Sequence, residues 1–279
     1  MITEKHKLSL AKAGDINAFH ELFNLFQKDL KAFIYRMVTD RTDAEDLTHD
    51  VFVKSFGKIK SFEEKSSLKT WVFTIASNLC IDFLRSKKRW VSDSQDRSRK
   101  YAESNIDVEE ALIRTNKYSL HGTYEIKEHI DFCFTCMAKT LPIEQQIALI
   151  LKDIFNFTVK EICQIINCSL GVSKHLLHDA RKNMMIIFDN RCALINKRGI
   201  CHQCSELNGY FNPRQHTQEA LLKLQLVNEA ASGDKEKLYH LRVELIKSVH
   251  PLNTEGSDLH EIFMQLTRKV EGEIEEIDY

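Results

Sequence analysis

At 279 residues, with 43% hydrophobic and 28% charged side chains, the chain is longer than one small core needs, and its composition is neither that of a disordered polymer nor of a membrane protein. Nine Gly and three Pro are too few to punctuate a β-sandwich or a doubly wound sheet, so the expected fold class is all-α. The net charge of −1 hides an uneven distribution: residues 1–90 carry 16 basic against 12 acidic side chains, residues 138–200 nine against five, and residues 205–279 eight against 14.

In chain order, Gly14-Asp15 offers an N-cap, and Phe19, Leu22, Phe23, Phe26, Leu30, Phe33, Ile34 and Met37 then form a helical stripe. Thr42-Asp43-Ala44-Glu45 reads as a capping box, which predicts a second helix from near Asp43 to Gly57. A third helix follows the polar turn Glu63–Ser66. It buries Leu68, Trp71, Val72, Ile75, Ala76, Leu79 and Phe83 and ends in Arg85, Lys87, Lys88 and Arg89. A basic helix end also complements its own dipole, so that cluster alone assigns nothing.

Two runs carry more. Asp43-Ala44-Glu45-Asp46-Leu47 with Asp50-Val51-Phe52, followed by Thr70-Trp71, Ile75-Ala76, Asn78, Asp82 and Arg85 at their particular spacing, resembles the promoter-melting domain of the extracytoplasmic-function group of sigma-70 factors. The resemblance implies that Asp46, Leu47, Asp50 and Phe52 dock on core RNA polymerase. It also implies that the loop Ser61–Ser67, with Phe62 and Ser66, holds a base flipped from melting promoter DNA, and that Asn78, Asp82, Arg85 and Lys88 meet the separated strand. Opening DNA costs unstacking energy, which a pocket and cationic backbone contacts offset. Trp71 belongs to the apolar stripe and is read as core.

From Val91 to Thr123 periodicity dissolves into Ser, Asp, Arg and Glu, a linker with a short helix predicted at Val108–Ile113. Helical spacing resumes near Tyr124, and Pro142 suits the first position of a new helix. Thr158-Val159-Lys160-Glu161 is a further capping box. It opens a helix that ends at Asn167-Cys168-Ser169, with Gly171 in the turn and a basic helix beyond, a helix-turn-helix pattern. A plain helical hairpin has the same outline. Leu141-Pro142, Gln145, Phe157-Thr158, Glu161-Ile162, Gly171, Lys174 and Ala180-Arg181-Lys182 resemble the same family's upstream-element reader, which implies DNA contacts by Thr158, Ser173, Lys174, His175, His178, Arg181 and Lys182. Leu176 and Asp179 stand where that family commonly has Arg, each a lost phosphate contact, and Leu176 and Leu177 compete for the core.

Eight cysteines without an apolar N-terminal signal segment are expected to be reduced thiols in the cytoplasm. Cys192, Cys201 and Cys204 have a spacing that admits zinc, although no fourth ligand is evident and plain reduced thiols are the alternative; no cofactor is otherwise required. Cys80, Cys163 and Cys168 are read as core or near-core. Beyond Pro213 three more helices are predicted, Gln218–Ala231, Lys235–Val249 and Leu259–Glu271, in an acidic extension that the minimal family member lacks.

The chain thus divides into a promoter-melting domain (1–90), linker (91–123), helix-turn-helix domain (124–190), Cys-containing segment (191–216) and acidic extension (217–279). The expected function is promoter-specific initiation with core RNA polymerase, on double-stranded and melted promoter DNA, with an anti-sigma factor as a further admissible partner and no membrane insertion. The alternatives are a free-standing helix-turn-helix regulator and a metal- or redox-responsive DNA-binding protein. No phosphate loop, nucleophile elbow or metalloprotease motif points to an enzyme.

Overall fold

A computed structural model describes residues 3–108, 110, 111, 114, 126–191, 233–253 and 257–277. Among them every regular element is helical, as the scarcity of Gly and Pro requires. The helix predicted at Gln218–Ala231 lies outside the described residues. The chain forms two compact units, one from residues 1–87 and 143–177, the other from 88–142 and 178–279. These units cut across the segments read from the sequence, because the helix-turn-helix stretch contributes to both.

The first unit opens with α1 (Glu4–Ala13) and α2 (Ile16–Asn24), the latter capped by Asp15, whose carboxylate accepts the Asn17 and Ala18 amides at 2.9 and 3.1 Å. The apolar stripe does not run as one helix: it breaks at Phe26, and α3 spans Gln27–Val38. Helix α4 (Arg41–Lys58) begins two residues ahead of the expected point, because Asp40 and not Thr42 is the cap; its carboxylate accepts the Asp43 amide at 2.8 Å. A 3-10 turn, Ile59–Ser61, leads to α5 (Leu68–Arg85), capped by Ser67. Aromatic packing unites these helices. Phe52 meets Phe19 at 5.3 Å and Phe23 edge-on at 5.2 Å, and Phe33 lies 5.5 Å from Phe73.

Three further helices complete this unit: α8 (Ile143–Leu149), continued by a π turn at Ile150–Ile154, α9 (Val159–Ile165), and the first part of α10 (Leu170–Arg191). Helix α9 packs on α5. The Phe157 ring meets Phe73 at a tilt with centroids 4.9 Å apart, Lys69 lies over the Phe157 ring at 5.4 Å, and the Thr70 hydroxyl donates to Glu161 at 3.2 Å. The Gln146 amide reaches the Arg36 carbonyl at 3.0 Å, with both side chains buried.

The second unit contains α6 (Ser94–Glu103), α7 (Ile126–Ala138), the remainder of α10, α11 (Lys235–Lys247) and α12 (Ser257–Val270). Helix α6 falls inside the stretch read as an aperiodic linker. Its polar sequence hides the stripe, since the face it buries consists of Ser94, Gln95 and Ser98. Helices α11 and α12 both pack on α7; Phe132 stacks with His260 at 5.4 Å and Cys136 touches Met264 at 3.8 Å.

Candidate nucleic-acid interface

Helix α4 presents one polar edge to solvent. Asp46 and Asp50, four residues apart, are exposed, and one turn further Val53 is 52% exposed, an apolar patch that periodicity alone did not single out. Leu47 and Phe52, expected beside them as docking residues, are less exposed. Leu47 is buried, and Phe52 is half-buried in the cluster with Phe19, Phe23 and His20. They hold α4 in place and leave the acidic edge free. Beside that edge lies an open cleft of about 410 Å³ whose lining includes His20, Lys31, Glu45 and His49. The Lys31 ammonium, 2.5 Å from Glu45, holds that carboxyl below its usual range by hydrogen bond and charge.

The loop before α5 is ordered by local bonds. Ser67 caps the helix through the Thr70 amide at 3.0 Å, and Lys12 pairs with Glu64, which has a left-handed backbone (φ 58°). Phe62, expected in the base-holding loop, is buried against Trp71 at 5.0 Å, so its ring is not offered to a base; Ser66 is half-buried. Trp71 itself is half-buried. Asn78, Asp82 and Arg85, at spacings of four and three, are all exposed along one face, and Lys88 is exposed just past the helix end. Asp82 and Arg85 pair at 3.1 Å, which orders the guanidinium.

In the helix-turn-helix the capping box at α9 is complete. The Thr158 hydroxyl accepts the Glu161 amide and donates to the Glu161 carboxylate, which also accepts the Thr158 amide at 2.8 Å. Burial acts most strongly on Glu161 and opposes its charge, yet the bonds from Thr158 and Thr70 together keep its carboxyl below the usual range. The turn is made by Asn167 (φ 50°) and closed by the Cys168 amide on the Cys163 carbonyl at 3.0 Å. Gly171, expected in the turn, instead lies in the first turn of α10.

Helix α10 exposes Lys174, His175, His178 and Lys182 and keeps Arg181 half-buried. Ser173, expected to touch DNA, is fully buried and faces the interior. The competition between the two leucines is decided: Leu177 is core and Leu176 is half-buried. Leu170 and Val172, 52% and 48% exposed, flank the cations at the helix start.

Cys80 is fully buried and its thiol is pushed up by desolvation, whereas Cys163 and Cys168 are half-buried and close together across the turn. Burial, then Cys163, raises the Cys168 thiol. Cys192, Cys201 and Cys204 lie outside the described residues. Among the described residues no group of three or more His, Cys, Asp or Glu is placed to hold a metal, and no helix is long and apolar enough to cross a membrane.

Comparison with known proteins matches residues 22–90 to the sigma-70 region 2 family and residues 131–184 to the sigma-70 region 4 family. The Bacillus subtilis ECF RNA polymerase sigma factor SigW is 25% identical over 182 residues, covering 64% of this chain and 92% of its own. SigM of the same organism is 27% identical over 169 residues, covering 61% and 94%. Among solved structures, the sigma factor RpoE of Bartonella quintana, in complex with the anti-sigma factor NepR, aligns with a TM-score of 0.42 at 22% identity, over 61% of this chain and 96% of that one.

Proposed function

The chain belongs to the sigma-70 family, in its extracytoplasmic-function group, and from that premise we propose how its surfaces divide the work of promoter-specific transcription initiation. It is an initiation factor that binds core RNA polymerase and promoter DNA, not an enzyme. The observation that carries the division is the exposed row Asn78, Asp82 and Arg85 on α5, with Lys88 just past the helix end, together with the exposed acidic edge of α4.

In this reading Asp46 and Asp50 meet a basic surface of the polymerase, with Val53 adding apolar contact. The α5 row holds the melted strand, where Arg85 and Lys88 neutralise phosphates and Asn78 hydrogen-bonds a base edge. Lys174, His175, His178, Arg181 and Lys182 on α10 face double-stranded DNA, with Leu176 and Asp179 lowering the electrostatic part of that contact. Thr158 acts through the cap that orients α9. Zinc on Cys192, Cys201 and Cys204, an anti-sigma partner and a cytoplasmic location complete the proposal.

Reconstitution with core polymerase on a promoter library tests it, with run-off transcription as the readout. Promoter-dependent product is expected, together with its loss on Arg85→Glu with Lys88→Glu. Product that survives that double reversal overturns the role given to α5.

A further inference from the structure

The acidic extension is fastened into the second unit by a small set of buried polar bonds. Beyond α12 the chain reverses at Gly272 (φ 75°). The Glu273 amide returns to the Arg268 carbonyl at 2.8 Å and the Gly272 amide to that of Lys269 at 3.0 Å, a helix-ending motif that turns the Glu273 side chain inward. There its carboxylate accepts the Trp90 indole N–H at 2.7 Å and the Lys139 ammonium at 3.2 and 3.3 Å. The Lys139 and Glu273 side chains are 1% and 3% exposed, and Lys139 lies 4.2 Å over the Trp90 ring. Two residues back, Glu271, 2% exposed, accepts from the Ser94 hydroxyl at 2.7 Å and Arg97 at 2.9 Å, while the Ser98 hydroxyl bonds Thr267 at 3.1 Å.

These partners have particular places in the chain. Trp90, Ser94, Arg97 and Ser98 belong to the stretch that leaves α5, and Lys139 sits just past α7, the first helix of the region 4 match. Arg89 adds to the closure by donating to the Leu141 and Ala138 carbonyls at 2.8 and 3.4 Å. The start of the linker is therefore bonded to the residues that follow its far end, and its span is cancelled. Coiling α6 shortens it further, since a helix rises about 1.5 Å per residue against about 3.3 Å for extended chain. A factor that reads two promoter elements some distance apart needs that span.

We propose that the C-terminal extension is a cis-acting clasp in which inward-turned Glu273 bolts Trp90 at the linker start to Lys139 beyond α7, and that promoter engagement requires the bolt to open. The inference rests on the sigma-factor reading. A carboxylate inside the protein is costly unless its hydrogen-bonding capacity is met, and here four donors from outside α12 and its closing turn meet two carboxylates, Trp90 and Lys139 on Glu273 and Ser94 and Arg97 on Glu271. An ordinary solvated tail would leave such acids in water. Burial also pushes the Lys139 ammonium down to about 8, with Glu273 working against the shift, so the pair is held by the fold around it.

The test uses the full-length chain with Glu273→Ala and Gly272→Ala, the latter straining the reversal at an exposed position without removing a buried charge. Hydrogen exchange over residues 88–103 and run-off transcription with core polymerase are both read. Exchange is expected to rise about tenfold or more in Glu273→Ala and less in Gly272→Ala, with promoter-dependent product rising in the same order. If Glu273→Ala fails to fold, Gly272→Ala alone decides. Unchanged exchange overturns the clasp, and faster exchange with transcript at or below wild type overturns its regulatory role. Co-purification of the wild-type chain with core polymerase, scored separately, tells failure of the clasp from failure of the sigma-factor reading.

Discussion

The two compact units are held by different kinds of chemistry. In the first, the largest fully buried side chains include Phe19, Phe23, Phe33 and Phe73, and buried charge amounts to Arg36 and Asp153 among the described residues. In the second, Glu128, Asp131, Lys139, Arg191, Arg242 and Arg268 are all buried, and Arg242 lies over the Phe188 ring at 4.4 Å. Apolar packing tolerates approximate partners, while buried charges demand particular ones. The second unit is thus built to recognise one arrangement of linker, α7 and extension, at some cost in stability.

The sharpest way to break this contrast is to remove one group from each side. Phe73→Ala deletes a ring packed on Phe33 and Phe157 and is expected to lower stability by about 3–5 kcal/mol in denaturant unfolding. A loss under about 1 kcal/mol would mean that the aromatic cluster is dispensable. Lys139→Met alone leaves Glu273 buried with Arg268, at 3.5 Å, as its remaining cation and is expected to cost about 3 kcal/mol, whereas Lys139→Met with Glu273→Met should restore most of that loss. A double variant as unstable as the single would show that the pair stabilises the unit and does not merely select its arrangement.

This contrast also explains what the sequence disclosed. Phe19 to Met37, Leu68 to Phe83 and the capping box at Thr158 were legible because apolar periodicity and cap chemistry are local. The fold class follows from the scarcity of Gly and Pro, and the row on α5 was named by the family resemblance. What stayed hidden depends on distant partners. Helix α6 buries serines whose acceptors, Glu271 and Thr267, lie more than 160 residues away. Ser173 and Phe62 carry the right residue types for DNA contact, but their neighbours place them inside. Leu47 shows the same effect at α4: a motif position and a core position coincide, and only packing separates the two roles.

Smaller effects probe the surfaces proposed to face DNA. Lys174→Ala removes one exposed cation from α10, and the slope of log affinity against log salt on promoter DNA should flatten by about one unit. Ser173→Ala, by contrast, should leave that slope unchanged, because the hydroxyl is buried; a flattened slope there would mean that α10 turns its other face to DNA.

The smallest effect lies in the cap that orients α9. Thr158→Ala is expected to cost about 1 kcal/mol at neutral pH. Because Glu161 is held below the usual carboxylate range, its contribution is fully present above the unfolded value and fades as pH falls through the lower folded value. The difference in melting temperature between Glu161→Gln and wild type should therefore persist at pH 7 and shrink below about pH 4. The half-buried carboxylate also binds the Thr70 hydroxyl of α5, so the acid-sensitive bond joins the region 4 and region 2 helices within one unit. A difference that does not vary with pH would assign the cap's effect to helix geometry and not to the charge of Glu161.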